Sequence, residues 1–187
     1  MSVRDGMLDI IGRVRELIGD ESEEQFTTQH IQDVLDRTSR VDAWYEELVE
    51  QGTILSGGSV RYYDFYSPHY PWEDAPTLYN GSYLALTGTL AASTVDYMRG
   101  YWHFTGSVTP PYGPVRPVRV VGNHYDVHFA ASALLEEWAA AVKTHVSFRD
   151  PNFSFQMNEQ YQHLRDLAAH YRAMCPVATI KMVRGDT

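Results

Sequence analysis

The sequence predicts a mixed α+β chain: a helical bundle core made of N-terminal helices and a C-terminal helical hairpin, an antiparallel β-rich insertion, and an extended C-terminal tail. Three observations carry that prediction. Apolar residues recur at helical spacing near both ends of the chain. The stretch Gly52 to Gly122 is instead cut by Gly and Pro turns into short runs rich in Tyr, Val, Thr and Trp. Pro176 then stops the last helical pattern before a half-apolar tail. The expected segments are 1–51 (N-terminal helices of the core), 52–122 (β-rich insertion), 123–175 (C-terminal hairpin of the core) and 176–187 (docking tail).

In chain order, Asp5 to Ile18 carries Leu8, Ile11, Val14 or Arg15, and Ile18 on one helical face, and Gly19 is a suitable C-terminal stop. The acidic run Asp20 to Glu24 reads as a solvated turn. The next helix opens at Thr27 or Thr28, either of which can cap free N–H groups, and buries Ile31, Val34 and Leu35. A third short helix is expected over Val41 to Glu50, with Trp44 and Leu48 on one side. Candidate strands follow at Ser59 to Tyr66, Ser82 to Leu86, Val95 to Met98, Tyr101 to Phe104 and Val118 to Val121, with Arg99-Gly100 a hairpin tip.

The C-terminal third is expected to hold a helix from Asn123 to Thr144, capped by Asn123 with Asp126 in the first turn. Val127, Ala131, Leu134 or Leu135, Trp138 and Val142 form its apolar stripe, and Ala130, Ala133, Ala139, Ala140 and Ala141 keep its other sides thin. Thin sides admit close neighbours, so this helix suits the centre of a bundle or a contact between subunits. A partner helix is expected over Met157 to Ala173, with Tyr161, Leu164, Ala168 and Tyr171 inward and Leu167 widening the stripe. Phe148, Phe153 and Phe155 should pin the loop between the two into a helical hairpin. Tyr125, Leu134, Leu135, Trp138, Leu164 and Tyr171 are the residues expected to pack this core or meet a neighbouring subunit.

At 187 residues and 44% hydrophobic, the chain can bury one sizeable core with an insertion. Its 24 acidic against 15 basic side chains, net charge −9, exclude a protein that grips nucleic acid by its phosphates, yet suit a wall that DNA slides past. Met1 to Gly19 lacks the unbroken apolar run of a signal peptide or membrane span, so synthesis in the cytoplasm is expected. Cys175 stands alone, which leaves no internal disulfide and no cysteine-based zinc site; a semi-buried residue at a helix end is the expectation.

Enzymatic chemistry finds little foothold. His124 and His128 lie four apart, a spacing at which two imidazoles on a helix can share a metal ion, but the third ligand and the Glu of a metalloprotease motif are missing locally. His163 and His170 suit exposed or subunit-facing positions, and Glu136-Glu137 a solvated one. No catalytic residue, metal or cofactor is therefore expected. Most of the 13 tyrosines fall between Tyr62 and Tyr125, which raises a second class. A carbohydrate- or ligand-binding module would expose Tyr62, Tyr63, Tyr66, Tyr70 and Trp72 as a platform, whereas rings that merely pack a sheet would not.

Three segments, taken in order, resemble the head-tail connector (adaptor) proteins of long-tailed bacteriophages, the small ring-forming proteins that bind beneath the portal. The first is Phe26-Thr-Thr-Gln-His-Ile-Gln-Asp-Val-Leu-Asp-Arg, similar to an early family helix with a Ser or Thr cap and an Ile-x-x-x-Leu-Asp pattern. The second is Val121-Gly-Asn-His-Tyr-Asp-Val-His-Phe-Ala-Ala-Ser-Ala-Leu-Leu-Glu-Glu-Trp-Ala, similar to Gly-x-x-Tyr-Asp-Val followed by an Ala-rich helix and Leu-Leu-Glu-x-Trp-Ala. The third is Leu164-Arg-Asp-Leu-Ala-Ala-His-Tyr-Arg with the closing Met182-Val-Arg-Gly-Asp. The resemblance covers both helical regions and not the β-rich insertion.

That resemblance implies a structural protein of the virion neck, made in the host cytoplasm, which joins capsid to tail as a ring of itself, usually a dodecamer. Its implied partners are the portal protein and the downstream neck (head-closure) protein, with DNA passing through the lumen unread and no membrane involved. The tail Val177 to Thr187 would then dock on the portal, with Ile180, Met182 and Val183 as apolar anchors and Arg184 and Asp186 as polar ones.

Overall fold

A computed structural model of the chain describes residues 3–56, 58, 60–82, 85–105, 117–146 and 151–175. Within them lie four helices and two antiparallel sheets, a mixed α+β fold. After a 3-10 turn at Asp5–Met7 come α1 (Leu8–Ile18) and α2 (Thr28–Thr38). Eight strands follow: β1 (Arg40–Glu47), β2 (Val49–Ile54), β3 (Val60–Tyr66), β4 (Thr77–Ser82), β5 (Ala85–Leu90), β6 (Thr94–Asp96), β7 (Tyr101–His103) and β8 (Val118–Tyr125). The chain then returns to helix in α3 (Val127–Val146) and α4 (Pro151–Met174).

The first two helices follow the sequence closely. Gly19 takes the left-handed conformation (φ 71°) that ends α1, donating its N–H back to the Arg15 and Glu16 carbonyls. Thr27, rather than Thr28, caps α2 by accepting the His30 N–H. Ile11, Val14, Ile18, Ile31, Val34 and Leu35 are buried as their spacing predicts, whereas Leu8 faces solvent and Ile10 takes its place inside.

The expected third helix over Val41 to Glu50 is instead β1 and the start of β2. Local sequence could not decide this: Val41, Trp44 and Tyr45 are as suited to a strand as to a helix, and the choice falls to pairing with β8, eighty residues downstream in sequence. Arg40 to Ala43 pair with Tyr125 to Gly122, then a bulge resets the register so that Glu46 faces Val120. The strand expected over Ser82 to Leu86 also breaks, with β4 ending at Ser82 and β5 starting at Ala85. The hairpin tip at Arg99-Gly100 is present between β6 and β7, with Gly100 at φ 62°.

One sheet has the order β1-β8-β4-β5 and the other β2-β3-β7-β6. They enclose a core of their own, in which Ala43, Leu78, Val118 and Val120 of the first sheet meet Phe65 and Trp102 of the second, with Leu48, Trp72 and Phe104 filling between. Gly122 is needed here: a Cβ on it would meet Pro76 Cβ at 2.7 Å and Trp72 Cε3 at 3.5 Å. The missing side chain lets the Trp72 segment lie flat on β8.

Helix α3 begins later than its sequence suggested. Asn123 is not its cap, because β8 remains paired with β1 through Tyr125; Asp126 caps instead, its Oδ1 accepting the N–H groups of His128 and Phe129 at 3.1 and 3.0 Å. Helix α4 begins earlier, at Pro151, a residue pre-set for a first helical turn, rather than at Met157. Phe148 and the side chains of Phe153 and Phe155 lie outside the described residues. The two helices run antiparallel as the expected hairpin, with Lys143 over Tyr161 near one end and His128 stacked on Tyr171 near the other. Their inner faces join α1 and α2 in a second core that includes Ala130, Ala131, Ala139 and Ala168, residues small enough for close helix packing. Two cores therefore replace the single one expected. Among the described residues, no helix is long and apolar enough to cross a membrane.

Candidate functional site

Polar side chains converge on the end of β8, where strand alternation sends successive residues to opposite faces. Asn123 and Tyr125 point to the seam between the helical core and the sheets; His124 points the other way. In the seam, the Tyr125 hydroxyl lies 2.9 Å from Arg4 Nη2, 3.2 Å from Asp36 Oδ1 and 3.0 Å from Glu73 Oε2. Arg4 closes a fork on Asp36 (2.9 and 2.7 Å) and donates through Nε to Glu73 Oε1 at 2.7 Å, and Asn123 Nδ2 donates to Glu73 Oε2 at 3.0 Å. Five residues from four parts of the chain thus lock α2, β8 and the β3–β4 connection to the N-terminus. The hydrogen bond to Asp36 raises the Arg4 pKa further, and burial beside two carboxylates raises that of Tyr125, so both keep their protons at neutral pH.

On the other face, His124 meets His69 edge to face at 4.9 Å between ring centroids and Trp72 at 5.3 Å. Glu46 completes the group: one ligand atom from each of Glu46, His69 and His124 lies within 4.8 Å of the others. Glu46 reaches this spot because the β1 bulge aligns it with Val120, two pleats from His124 on the same face of β8. Burial and the neighbouring imidazole of His69 push the His124 pKa down to about 4. Its ring is therefore neutral at pH 7 and keeps a lone pair.

A third polar group stands on the second sheet. Asp64 Oδ1 accepts from the Tyr101 hydroxyl and lies against His103 Nδ1, both at 2.7 Å. These bonds, that of His103 first, hold the Asp64 carboxyl below its usual pKa, while the same contact pushes Tyr101 up to about 12. A depressed carboxylate pKa stabilises the fold at pH above the unfolded value, and that contribution is lost as the pH falls through the folded value. Asp64→Asn is expected to flatten the acid limb of a plot of melting temperature against pH below about pH 4, relative to the parent chain. An unchanged acid limb would mean that the cluster carries no linkage.

Alongside, a groove of about 600 Å³ runs between α1 and the β6–β7 turn, with Asp9, Asp74 and Asp96 on its walls. Burial, then the charges of Asp9 and Glu73, raise the pKa of the Asp74 carboxyl.

The residues predicted for the subunit-contact or core helix fall into two sets. Tyr125, Leu134, Leu135 and Leu164 are buried in the helical core; Trp138 and Tyr171 lie half-buried at its rim, where the Tyr171 hydroxyl donates to the Leu17 carbonyl at 2.9 Å. The tail residues Ile180, Met182, Val183, Arg184 and Asp186 lie outside the described residues. The aromatic platform does not exist as a set: Trp72 is 1% exposed in the sheet core, Tyr62 and Tyr63 are half-buried, and only Tyr66 and Tyr70 face solvent.

The pairing of His124 with His128 is also corrected. His124 ends a strand and His128 opens a helix, so the one-turn spacing that would bring them together never forms; His128 stacks on Tyr171 at 5.7 Å instead. Asp20, read as part of a solvated run, is buried against Arg15. Glu136 and Glu137 are exposed as expected and pair with Arg172 and His30. Cys175 is half-buried just past α4, its thiol pushed up to about 11 by burial and the nearby Asp126.

Sequence reasoning missed Glu46 and His69 because they come together with His124 only through sheet pairing. Exposed apolar residues also gather where no periodicity announced them, with Val49, Ile54, Leu55 and Val60 along the β2–β3 hairpin. No known protein family, characterised protein or solved structure matches the chain.

Proposed function

We propose that this chain is a head-tail connector of a long-tailed bacteriophage, a structural protein that forms a ring beneath the portal, joins capsid to neck and lets DNA pass through its lumen. The observation that carries the reading is the ordered set of three connector-like segments. Far apart in sequence, they supply Ile31, Val34, Leu35, Leu134, Leu135, Leu164 and Ala168 to one helical core. The helical parts of the three segments thus belong to one structural unit, which supports reading them together.

Two further features support an assembly role. The β2–β3 hairpin carries Ile54 at 75% and Val49 at 60% exposure on an edge strand, apolar surface of the kind that a neighbouring subunit covers. The net charge of −9 suits a lumen that must not hold phosphates. In this reading the helical core is the ring-forming body, the strands are an insertion upon it, and the tail from 176 to 187 docks on the portal through Ile180, Met182, Val183, Arg184 and Asp186.

Light scattering and negative-stain imaging of the purified chain, alone and mixed with the portal protein of the same genome, test it. A ring, or a monomer that becomes a ring on the portal, is expected. Deleting Ile180 to Thr187 is expected to abolish portal binding while leaving the circular dichroism spectrum intact. A monomer indifferent to the portal would defeat the proposal.

A further inference from the structure

We propose that Glu46, His69 and His124 form a binding site for one divalent transition ion of the zinc class. The argument starts from the donor set. Two imidazoles and one carboxylate are the ligands such ions prefer, and they are a poor match for Mg²⁺ or Ca²⁺, which take oxygen alone. The three ligand atoms lie within 4.8 Å of one another. Around a tetrahedral zinc ion, ligands about 2.1 Å from the metal sit about 3.4 Å apart, a closure within reach of side-chain rotation.

Each ligand is also held by a buried neighbour, which distinguishes this group from a chance meeting of surface residues. Ser67, 6% exposed, donates its hydroxyl to Glu46 Oε1 at 2.9 Å and accepts the His69 N–H at 3.0 Å, so a single side chain fixes two of the three ligand-bearing segments. Trp72, 1% exposed, donates its indole N–H to the His69 carbonyl at 2.8 Å and lays its ring against His124. Supporting residues of this kind orient ligands and raise affinity for the metal. Among the described residues, neither His69 nor His124 has a hydrogen-bond partner for its ring, so both keep nitrogens available to a metal.

Such an ion would tie β1, the β3–β4 connection and β8 together at one point. His69 is exposed, so the site is open on one side, with three protein ligands and room for a water or for a donor from another molecule. The site would be part of the sheet unit and independent of the ring-forming role proposed above.

Titrating the metal-free full chain with Zn²⁺, followed by calorimetry and thermal melting, tests the site, with Co²⁺ as a spectroscopic stand-in. One equivalent is expected to bind, to give the visible absorption of a low-coordinate Co²⁺ site, and to raise the melting temperature by roughly 5 to 10 °C at a hundredfold excess over Kd. His69→Ala, at an exposed position, is expected to abolish all three effects and leave the metal-free melting temperature unchanged. Glu46→Gln, which still accepts from Ser67, is expected to weaken binding at least tenfold, and His163→Ala on the exposed face of α4 to change nothing. Absence of binding, binding that survives His69→Ala, or an equal response to Mg²⁺ would overturn the site.

Discussion

Asp20→Ala is expected to destabilise the fold by about 3 to 5 kcal/mol, measured as a shifted urea midpoint by circular dichroism. The Asp20 carboxylate is 1% exposed and does three things at once. Oδ2 accepts from Arg15 Nη1 at 3.1 Å and from the Phe26 N–H at 3.0 Å, while Oδ1 accepts the Gln25 N–H at 3.0 Å. Truncation removes the buried carboxylate from a guanidinium that is itself only 8% exposed, leaving it the exposed Glu23 at 3.5 Å, and strands two backbone donors between α1 and α2. Arg15→Met should cost less, because it removes the cation but leaves Asp20 its two backbone partners. Equal losses in the two variants would refute this division of labour. A loss below about 1 kcal/mol in Asp20→Ala would mean that water enters and replaces the carboxylate.

Trp72→Ala is expected to cost about 3 to 5 kcal/mol and to erase the near-ultraviolet dichroism of the sheet core. The indole fills the space between the sheets, 6.0 Å from the Trp102 ring in an edge-to-face contact, and the backbone bonds from Trp72 N–H to the Tyr97 carbonyl and from Tyr125 N–H to the Pro71 carbonyl hold its segment on β8. Trp72→Phe keeps most of the volume and loses the bond to the His69 carbonyl, so about 1 to 2 kcal/mol is expected. Tyr70→Ala, two residues away but 61% exposed, should stay within about 0.5 kcal/mol of the parent. If Tyr70→Ala proved as damaging as Trp72→Ala, Tyr70 would have to be packed in the fold rather than solvent-facing.

These two residues also mark where the sequence was legible and where it was not. Asp20 sits in a run of acids whose composition reads as a solvated turn; its burial depends on Arg15 facing it from the last turn of α1, and one-dimensional charge counting does not contain that pairing. Trp72 sits among exposed tyrosines in sequence but is drawn inward by the gap at Gly122. By contrast, a threonine cap at Thr27 or Thr28, the stop at Gly19 and the stripe of Leu134, Leu135 and Val142 act through neighbours within a turn or two, and they follow from spacing alone.

The same division runs through the whole molecule. The sequence by itself determined the helices at both ends, the Gly19 stop of α1, a threonine cap for α2, the glycine hairpin between β6 and β7, and the α+β character of the chain. Each of these rests on interactions a few residues long. Only the tertiary structure decided that Arg40 to Glu47 is a strand, that Asp126 rather than Asn123 opens α3, that the strands build a second core, and that Glu46, His69 and His124 meet. All four depend on β8, whose pairing with β1 and packing under Trp72 join residues 50 to 85 positions apart, and contacts at that range leave no period in the chain for a reader of sequence to find.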